Sequence, residues 1–256
     1  MSRLKKNWMQ AAALVTVMTV LLGGCTAFDA CAYMQAILDV SYKNETEDYM
    51  ELTGATEEEA NEIFQNNLDA TMHEFHTADL SEELEESYRT LFEKTIKQVK
   101  YTVGEAAETE ENGYTIDISV EPILLFDSTY DEFQKKAEEY AAEISNGVMD
   151  GREMPSDDEI QDHVYQTYYE VLTEALDSGL SYGKAKKIAV HINRTEEGTY
   201  EIPEEDLRAL DQTMISQEKL GQDGSETVKK EADETEKLEW VQIKIVGKYV
   251  YKSPYK

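Results

Sequence analysis

The chain has 256 residues, with 54 acidic against 24 basic side chains and a net charge of −30. That balance excludes nucleic acid as a partner, because gripping a phosphate backbone requires a basic footprint. Only four prolines interrupt it, and its apolar residues recur at regular spacing, which excludes a disordered chain as well.

The N-terminal stretch carries Arg3, Lys5 and Lys6 and no acid, and an apolar run follows from Ala11 to Leu22. A membrane-spanning helix needs ~20 apolar residues, so this run is too short. A basic start before a short apolar stretch is the pattern of a secretory signal peptide. Leu22-Gly23-Gly24-Cys25 looks like a bacterial lipobox. That resemblance implies cleavage before Cys25 and a diacylglycerol on its sulfur, with palmitate-type acyl chains. Residues 1–24 are thus the expected leader and Cys25 the expected lipid-attachment residue. Two chains anchor firmly where one holds only weakly. Thr26 follows, not Asp, so no inner-membrane retention signal is evident. Loss of the leader makes the chain more acidic still. The five residues Thr26 to Ala30 reach at most ~18 Å, which holds the body near the bilayer.

With Cys25 alkylated, Cys31 has no partner for an intramolecular disulfide. It falls on the first expected helix, "FDACAYMQAILDV", either as a small buried hydrophobe or as a reactive thiol. Thr56 and Glu59 form a capping box at the start of the next helix, which stripes Ala60, Ile63, Phe64, Leu68, Met72 and Phe75 on one face. A third helix starts at Ser81 and stripes Leu84, Tyr88, Leu91, Phe92, Ile96 and Val99. The strands "VKYTVGEA" and "YTIDISVEPILLF" flank "ETEENG", with Asn112-Gly113 as the hairpin signal. Ile116, Ile118 and Val120 alternate with polar residues, so one face is buried and the other wet.

The pattern then repeats. A helix from Ser128 carries Phe133, Ala137, Tyr140, Ala141 and Ile144, and Asn146-Gly147 is its expected stop. Ser156 and Glu159 form a second capping box, the stripe running through Ile160, Val164, Tyr168, Val171, Leu172 and Leu176 to a stop at Gly179. "KKIAVHI" and "TYEI" flank "NRTEEG" as a second hairpin. A short helix follows Pro203 with Leu207, Leu210 and Met214. Two helix-helix-hairpin units emerge, whose hairpins can join into one antiparallel sheet with helices packed on it. The expected class is α+β over residues 25–217. Residues 218–239 are polar and charged, without a stripe, and read as a linker. Residues 240–256 are β-prone and basic, with Lys244, Lys248, Lys252 and Lys256 and no acid after Glu239. This tail either closes a sheet edge, its lysines guarding against aggregation, or touches anionic lipid or polymer.

Constellations for chemistry are sparse. His73, Glu74 and His76 share a helix, and Asp69 or Asp79 could complete a metal set, but the spacing is not that of a zinc hydrolase. His163 and His191 have no nucleophile or orienting partner in the sequence. Acids are too numerous for any pair to indicate a glycosidase. No calcium loop or glycine-rich phosphate loop is present. Tyr165, Tyr168, Tyr169 and Tyr182 crowd one region, either as the edge of a core or as a stacking face. No catalytic residue, metal ligand or cofactor is assigned.

Tyr33, Ala36, Leu38 and Asp39, the Lys43 region, Tyr49 and Thr53, and the acid-rich helix with Leu68 and Met72 carry a family resemblance. The stretch is similar to a large family of uncharacterised secreted lipoproteins of gut clostridia and related Gram-positive bacteria. The resemblance runs from Cys25 to about residue 215 and implies an α+β domain, cystatin-like or nuclear-transport-factor-like. It implies no catalytic residues, and the basic tail departs from the family pattern. The expected function is a lipoprotein on the extracytoplasmic face of the membrane, held there through Cys25, with a non-enzymatic binding or scaffolding role toward an envelope protein or polymer. The alternatives are an envelope enzyme acting on cell-wall polymer and a sensor of divalent cations or small ligands.

Overall fold

Alternation along Tyr114–Glu121 and Lys186–Arg194 decides the centre of the fold. The computed structural model describes residues 28–75, 80–196 and 198–219; Cys25, the leader, His76, Asp79, most of the linker and the basic tail lie outside them. Strands β1 (Lys100–Glu108), β2 (Tyr114–Glu121), β3 (Lys186–Arg194) and β4 (Tyr200–Glu201) pair in chain order as one antiparallel sheet. Ile116 faces Val190 and Ile118 faces Ile188 across the β2–β3 ladder. Ile116, Ile118, Val120, Val190 and Ile192 are fully buried, while Asp117, Glu121, Ala189 and His191 between them are exposed. The two expected hairpins thus join into the α+β sheet that the alternation requires.

Before each hairpin stands the expected pair of helices. These are α3 (Glu57–Glu74) with α4 (Glu82–Ile96), and α5 (Leu125–Met149) with α6 (Asp157–Ser178). Both capping boxes form as read: the Thr56 and Ser156 hydroxyls accept from the backbone N–H of Glu59 and Glu159, whose carboxylates reach back to the cap N–H groups. The remaining helices are α1 (Ala30–Leu38), α2 (Glu47–Thr53) and α7 (Glu204–Met214).

Two boundaries differ from the sequence reading. Helix α5 opens at Leu125, so Leu125 and Phe126 belong to it with Leu124 as its N-cap, and β2 ends at Glu121. Nor does Asn146-Gly147 stop that helix. Gly147 lies inside α5 and is buried, because a Cβ there would come 2.7 Å from Arg152 Nε. The turn comes later, at Gly151, with φ +87°.

The two hairpin loops are built alike. In the first, Thr109 N–H donates to Gly113 O, Asn112 N–H donates to Thr109 O, and Thr109 Oγ1 accepts from Gly113 N–H. In the second, Thr195 N–H donates to Thr199 O, Gly198 N–H donates to Thr195 O, and Thr195 Oγ1 accepts from Thr199 N–H. The fourth residue of each loop takes positive φ, Asn112 at 59° and Gly198 at 84°. Aligned on this geometry, "TEENGYTI" matches "TEEGTYEI", and Tyr114 and Tyr200 hold equivalent places. It is therefore Asn112, not Gly113, that supplies the left-handed residue. Gly113 is needed for a different reason: a Cβ on it would meet Ile192 O at 2.6 Å.

The chain folds into two compact units that interleave along the sequence. The first holds residues 28–75, 92–123 and 183–215, and so contains the whole sheet. In it α1 lies against β1 and α7 against β2 and β3. The β1 strand carries a bulge: Val103 faces Ile118 and Ala106 faces Ile116, leaving Gly104 and Glu105 opposite Asp117. A Cβ on Gly104 would lie 2.7 Å from Asp117 O. The carbonyl of Gly104 accepts from Cys31 Sγ on α1 at 3.5 Å, so Cys31 is a half-buried packing residue seated on the bulge.

The second unit holds residues 80–91, 124–182 and 216–219. It is helical, with α5 packed along α6. Phe133 meets the Tyr168 ring at 4.2 Å. Tyr88 of α4 donates to Tyr165 O at 2.8 Å, with its ring edge-on to Tyr169. Asp127 accepts from the Ser216 hydroxyl and from Lys219 N–H, and Lys219 Nζ pairs with Asp131 at 2.8 Å.

Candidate functional site

A buried, multiply hydrogen-bonded carboxylate stands in the first unit at Asp39. Helix α1 buries Tyr33, Met34, Ala36, Ile37 and Leu38, which carries Asp39 inward to 8% exposure. At this residue the helix widens into a π-helical turn, Asp39–Lys43, closed by Asn44 at φ 60° and by Glu45 N–H donating to Asp39 O. Such turns displace side chains from the regular helical stripe and often mark functional positions.

Asp39 Oδ1 accepts from Lys43 Nζ at 2.7 Å and from the Tyr101 hydroxyl at 2.5 Å. Oδ2 accepts from Gln35 Nε2 at 2.7 Å. The Lys43 ammonium also sits 4.5 Å over the Tyr101 ring. Burial alone pushes the Asp39 carboxyl up, but hydrogen bonds from Lys43, Tyr101 and Gln35 and the Lys43 charge overcome it and hold the group below its usual range. The Tyr101 phenol is driven up, first by burial and then by the hydrogen bond to Asp39 and its charge. Beside it Tyr42 donates to Asp211 of α7, and burial together with the Asp211 charge raises this phenol as well. The turn is thus tied to β1 through Tyr101 and to α7 through Asp211.

Around this cluster opens a depression of about 380 Å³, lined by Asp39, Asn44, Glu45, Thr46, Glu47 and Asp48. Glu45, Glu47 and Asp48 are exposed. Asn44 Oδ1 is buried and has no hydrogen-bond partner. The chemistry on offer is hydrogen bonding and attraction for positive charge. Both Asp39 oxygens already accept from side chains of the fold, so this carboxylate is a structural tie rather than a free base.

The residues singled out from sequence are dispersed. His73 is an exposed residue on α3, and among the described residues no group of three His, Cys, Asp or Glu can hold a metal ion. His163 stacks on Tyr140 of α5 at 3.7 Å. His191 donates its backbone N–H to Asp206 at the start of α7, and its Nδ1 lies 2.9 Å from the same oxygen. The Asp206 carboxylate thereby accepts a β3 backbone N–H outside the two residues, Asn193 and Arg194, that pair with β4. Tyr168 is buried and Tyr165 and Tyr169 pack edge-on against Tyr88, which is core-edge packing. Sequence reading missed the Asp39 cluster as a site. The available signal was Asp39 and Lys43 one helical turn apart, followed at once by Asn44, a residue that tolerates positive φ.

No protein-family pattern matches the chain, and no curated protein sequence matches it. Among solved structures, a "putative lipoprotein (ycdA)" from Bacillus subtilis subsp. subtilis str. 168 superimposes with a TM-score of 0.50 at 15% identity. The match covers 73% of this chain and 56% of that one, so the chain spans little more than half the length of its structural neighbour. The likeness is one of fold. No helix among the described residues is long and apolar enough to cross a membrane.

Proposed function

We propose that the protein is a lipid-anchored lipoprotein on the extracytoplasmic face of a Gram-positive membrane, with a non-enzymatic binding or scaffolding role at the envelope. One observation carries this reading. Phe28, only three residues after Cys25, already stacks its ring on Tyr200. A lipobox cysteine set directly before a folded unit is what a tethered domain requires. The structural neighbour described as a putative lipoprotein supports it. Metabolic labelling with a fatty-acid analogue tests the anchor: the wild type should carry label and sediment with membranes, and Cys25→Ala should do neither. An acylated, membrane-bound Cys25→Ala product sinks the assignment. For the role, the soluble form from Thr26 onward should capture envelope components and leave wall fragments intact. Turnover of those fragments without capture would favour an envelope enzyme.

A second reading, a small-ligand sensor, is favoured by Asn44 Oδ1, buried without a partner beside the acidic rim of the depression. Thermal shifts with calcium and with polyamines test it. A shift that Asn44→Ala abolishes supports it, and no shift with either removes it.

A further inference from the structure

One aromatic ring joins the N-terminal arm to both repeats of the sheet. Phe28 stacks on Tyr200 with centroids 3.7 Å apart and planes 9° off parallel. It also meets Tyr114 at 5.6 Å and Tyr33 at 5.3 Å. Tyr114 and Tyr200 directly follow the two matching loops, so Phe28 sits at the end of the first unit that carries both turns. From there the elements run to the opposite end. Helix α1 leads from Ala30 to Asp39, a rise of ~14 Å. Strand β1 leads from Glu108, paired with Tyr114, back to Tyr101 at Asp39, a length of ~23 Å. Helix α7 leads from Asp206 at His191 to Asp211 at Tyr42. The aromatic cluster and the Asp39 depression therefore occupy opposite ends of one unit.

We propose that the first unit stands on the lipid bilayer with its paired turns toward the headgroups and the Asp39–Asp48 depression directed away from them. This rests on the acylation of Cys25 argued above. Three residues from Cys25 to Phe28 extend at most ~11 Å. The reverse placement, with the depression at the membrane, would raise Phe28 to ~23 Å, the length of β1 between the two ends, beyond the reach of that tether. The tether therefore selects the end. The stack of Phe28 on Tyr200 then fixes where the lipid leaves the domain, beside the half-buried rings of Phe28, Tyr114 and Tyr200. Glu110, Glu111 and Glu196 on the turns are exposed. They oppose anionic headgroups over a Debye length of ~8 Å in physiological salt, so the turns face the surface without inserting.

The test uses the full-length acylated protein in vesicles of equimolar phosphatidylcholine and phosphatidylglycerol. In a Cys31→Ser background, Glu111→Cys and Glu45→Cys each place one labelled thiol, since the alkylated sulfur of Cys25 takes no label. Energy transfer to acceptor-labelled headgroups should be markedly higher from position 111 than from position 45. Equal transfer, or more from position 45, overturns the orientation. Adding Phe28→Ala should narrow the gap between the two labels, and an unchanged gap overturns the role given to the stack. Mass spectrometry of the N-terminal peptide separates the two hypotheses. Without diacylglycerol on Cys25 the lipoprotein reading itself fails; with diacylglycerol present and equal transfer, only the orientation fails.

Discussion

The two ends of the first unit are held by opposite kinds of force. At the Asp39 end a buried carboxylate gathers Lys43, Tyr101 and Gln35, and Tyr42 binds Asp211 beside it. At the Phe28 end flat rings pack on one another around two similar turns. Hydrogen bonds to a buried charge are directional and costly to leave half-made, whereas ring packing tolerates shifts and loses energy gradually. The polar end should therefore be rigid and sensitive to acid through Asp39, and the aromatic end compliant and indifferent to acid, its one shifted group being the Tyr114 phenol, which burial raises.

Asp39→Ala makes the largest break. It removes the acceptor for three donors and leaves the Tyr101 hydroxyl and the Lys43 ammonium in a partly dry site. Removing one side of a buried charged network costs about 3 kcal/mol or more, and the partial exposure of Lys43 places this case at the low end. Urea denaturation should show a loss of that size; a change under 1 kcal/mol, the range of an exposed pair, would mean that the cluster is not a tie. The pH dependence follows from the shifts. The Asp39 carboxyl titrates lower folded than unfolded, so its contribution is complete above about pH 4 and lost as pH falls through the folded value. The Tyr101 and Tyr42 phenols titrate higher folded than unfolded. Their contribution is complete below about pH 10 and lost as pH rises beyond it. Urea midpoints should fall at both extremes, and the acid limb should flatten in Asp39→Ala.

Legibility in the sequence followed the distance over which each feature is determined. The capping boxes at Thr56 and Ser156 close within four residues, and the apolar stripes and strand alternation repeat within a turn or a pair, so each was readable. The π-helical turn is held by Tyr101, 62 residues from Asp39, and by Asp211, 169 residues from Tyr42. Nothing local announces such partners. Gly147 differs for a local reason: Asn-Gly reads as a stop, but the helix runs through it and the Arg152 side chain, five residues on, packs against it. The interleaving of the two units was hidden too, since the repeat of helices and hairpins follows chain order and compact packing does not.

Between the two ends the bulge sets the next effect. Gly104→Ala would drive a Cβ to 2.7 Å from Asp117 O, a backbone atom that cannot swing aside. Overpacking of this kind costs about 2 kcal/mol. Because α1 rests on this carbonyl through Cys31, the loss should appear as faster hydrogen exchange in both β1 and α1. Exchange confined to β1 would show that the bulge does not seat the helix. Phe28→Ala ranks lower. It removes a half-buried ring and its stacking on Tyr200, which together contribute about 1.5 kcal/mol. Its effect on the urea midpoint should be the same at pH 2 as at pH 7, whereas the loss from Asp39→Ala should shrink as pH falls below about 4.

The smallest effect separates the two turns at the aromatic end. Gly198 has φ +84°, and the nearest atom to a Cβ placed on it is Arg194 Nη2 at 3.7 Å, ordinary contact. Space is therefore not at issue, and the cost of Gly198→Ala is torsional, about 1 kcal/mol for a non-glycine residue in the left-handed region. The equivalent position in the first turn is filled by Asn112 at φ 59°, since asparagine tolerates this conformation through local hydrogen bonding. If the two turns are physically the same device, Gly198→Asn should cost clearly less than Gly198→Ala, and Asn112→Gly should lie within a few tenths of a kcal/mol of the wild type. Thermal midpoints of the three variants read this directly. Equal losses for Ala and Asn at position 198 would show that the first turn draws its stability from Thr109 and Gly113 instead, and that the likeness of the repeats ends at the backbone.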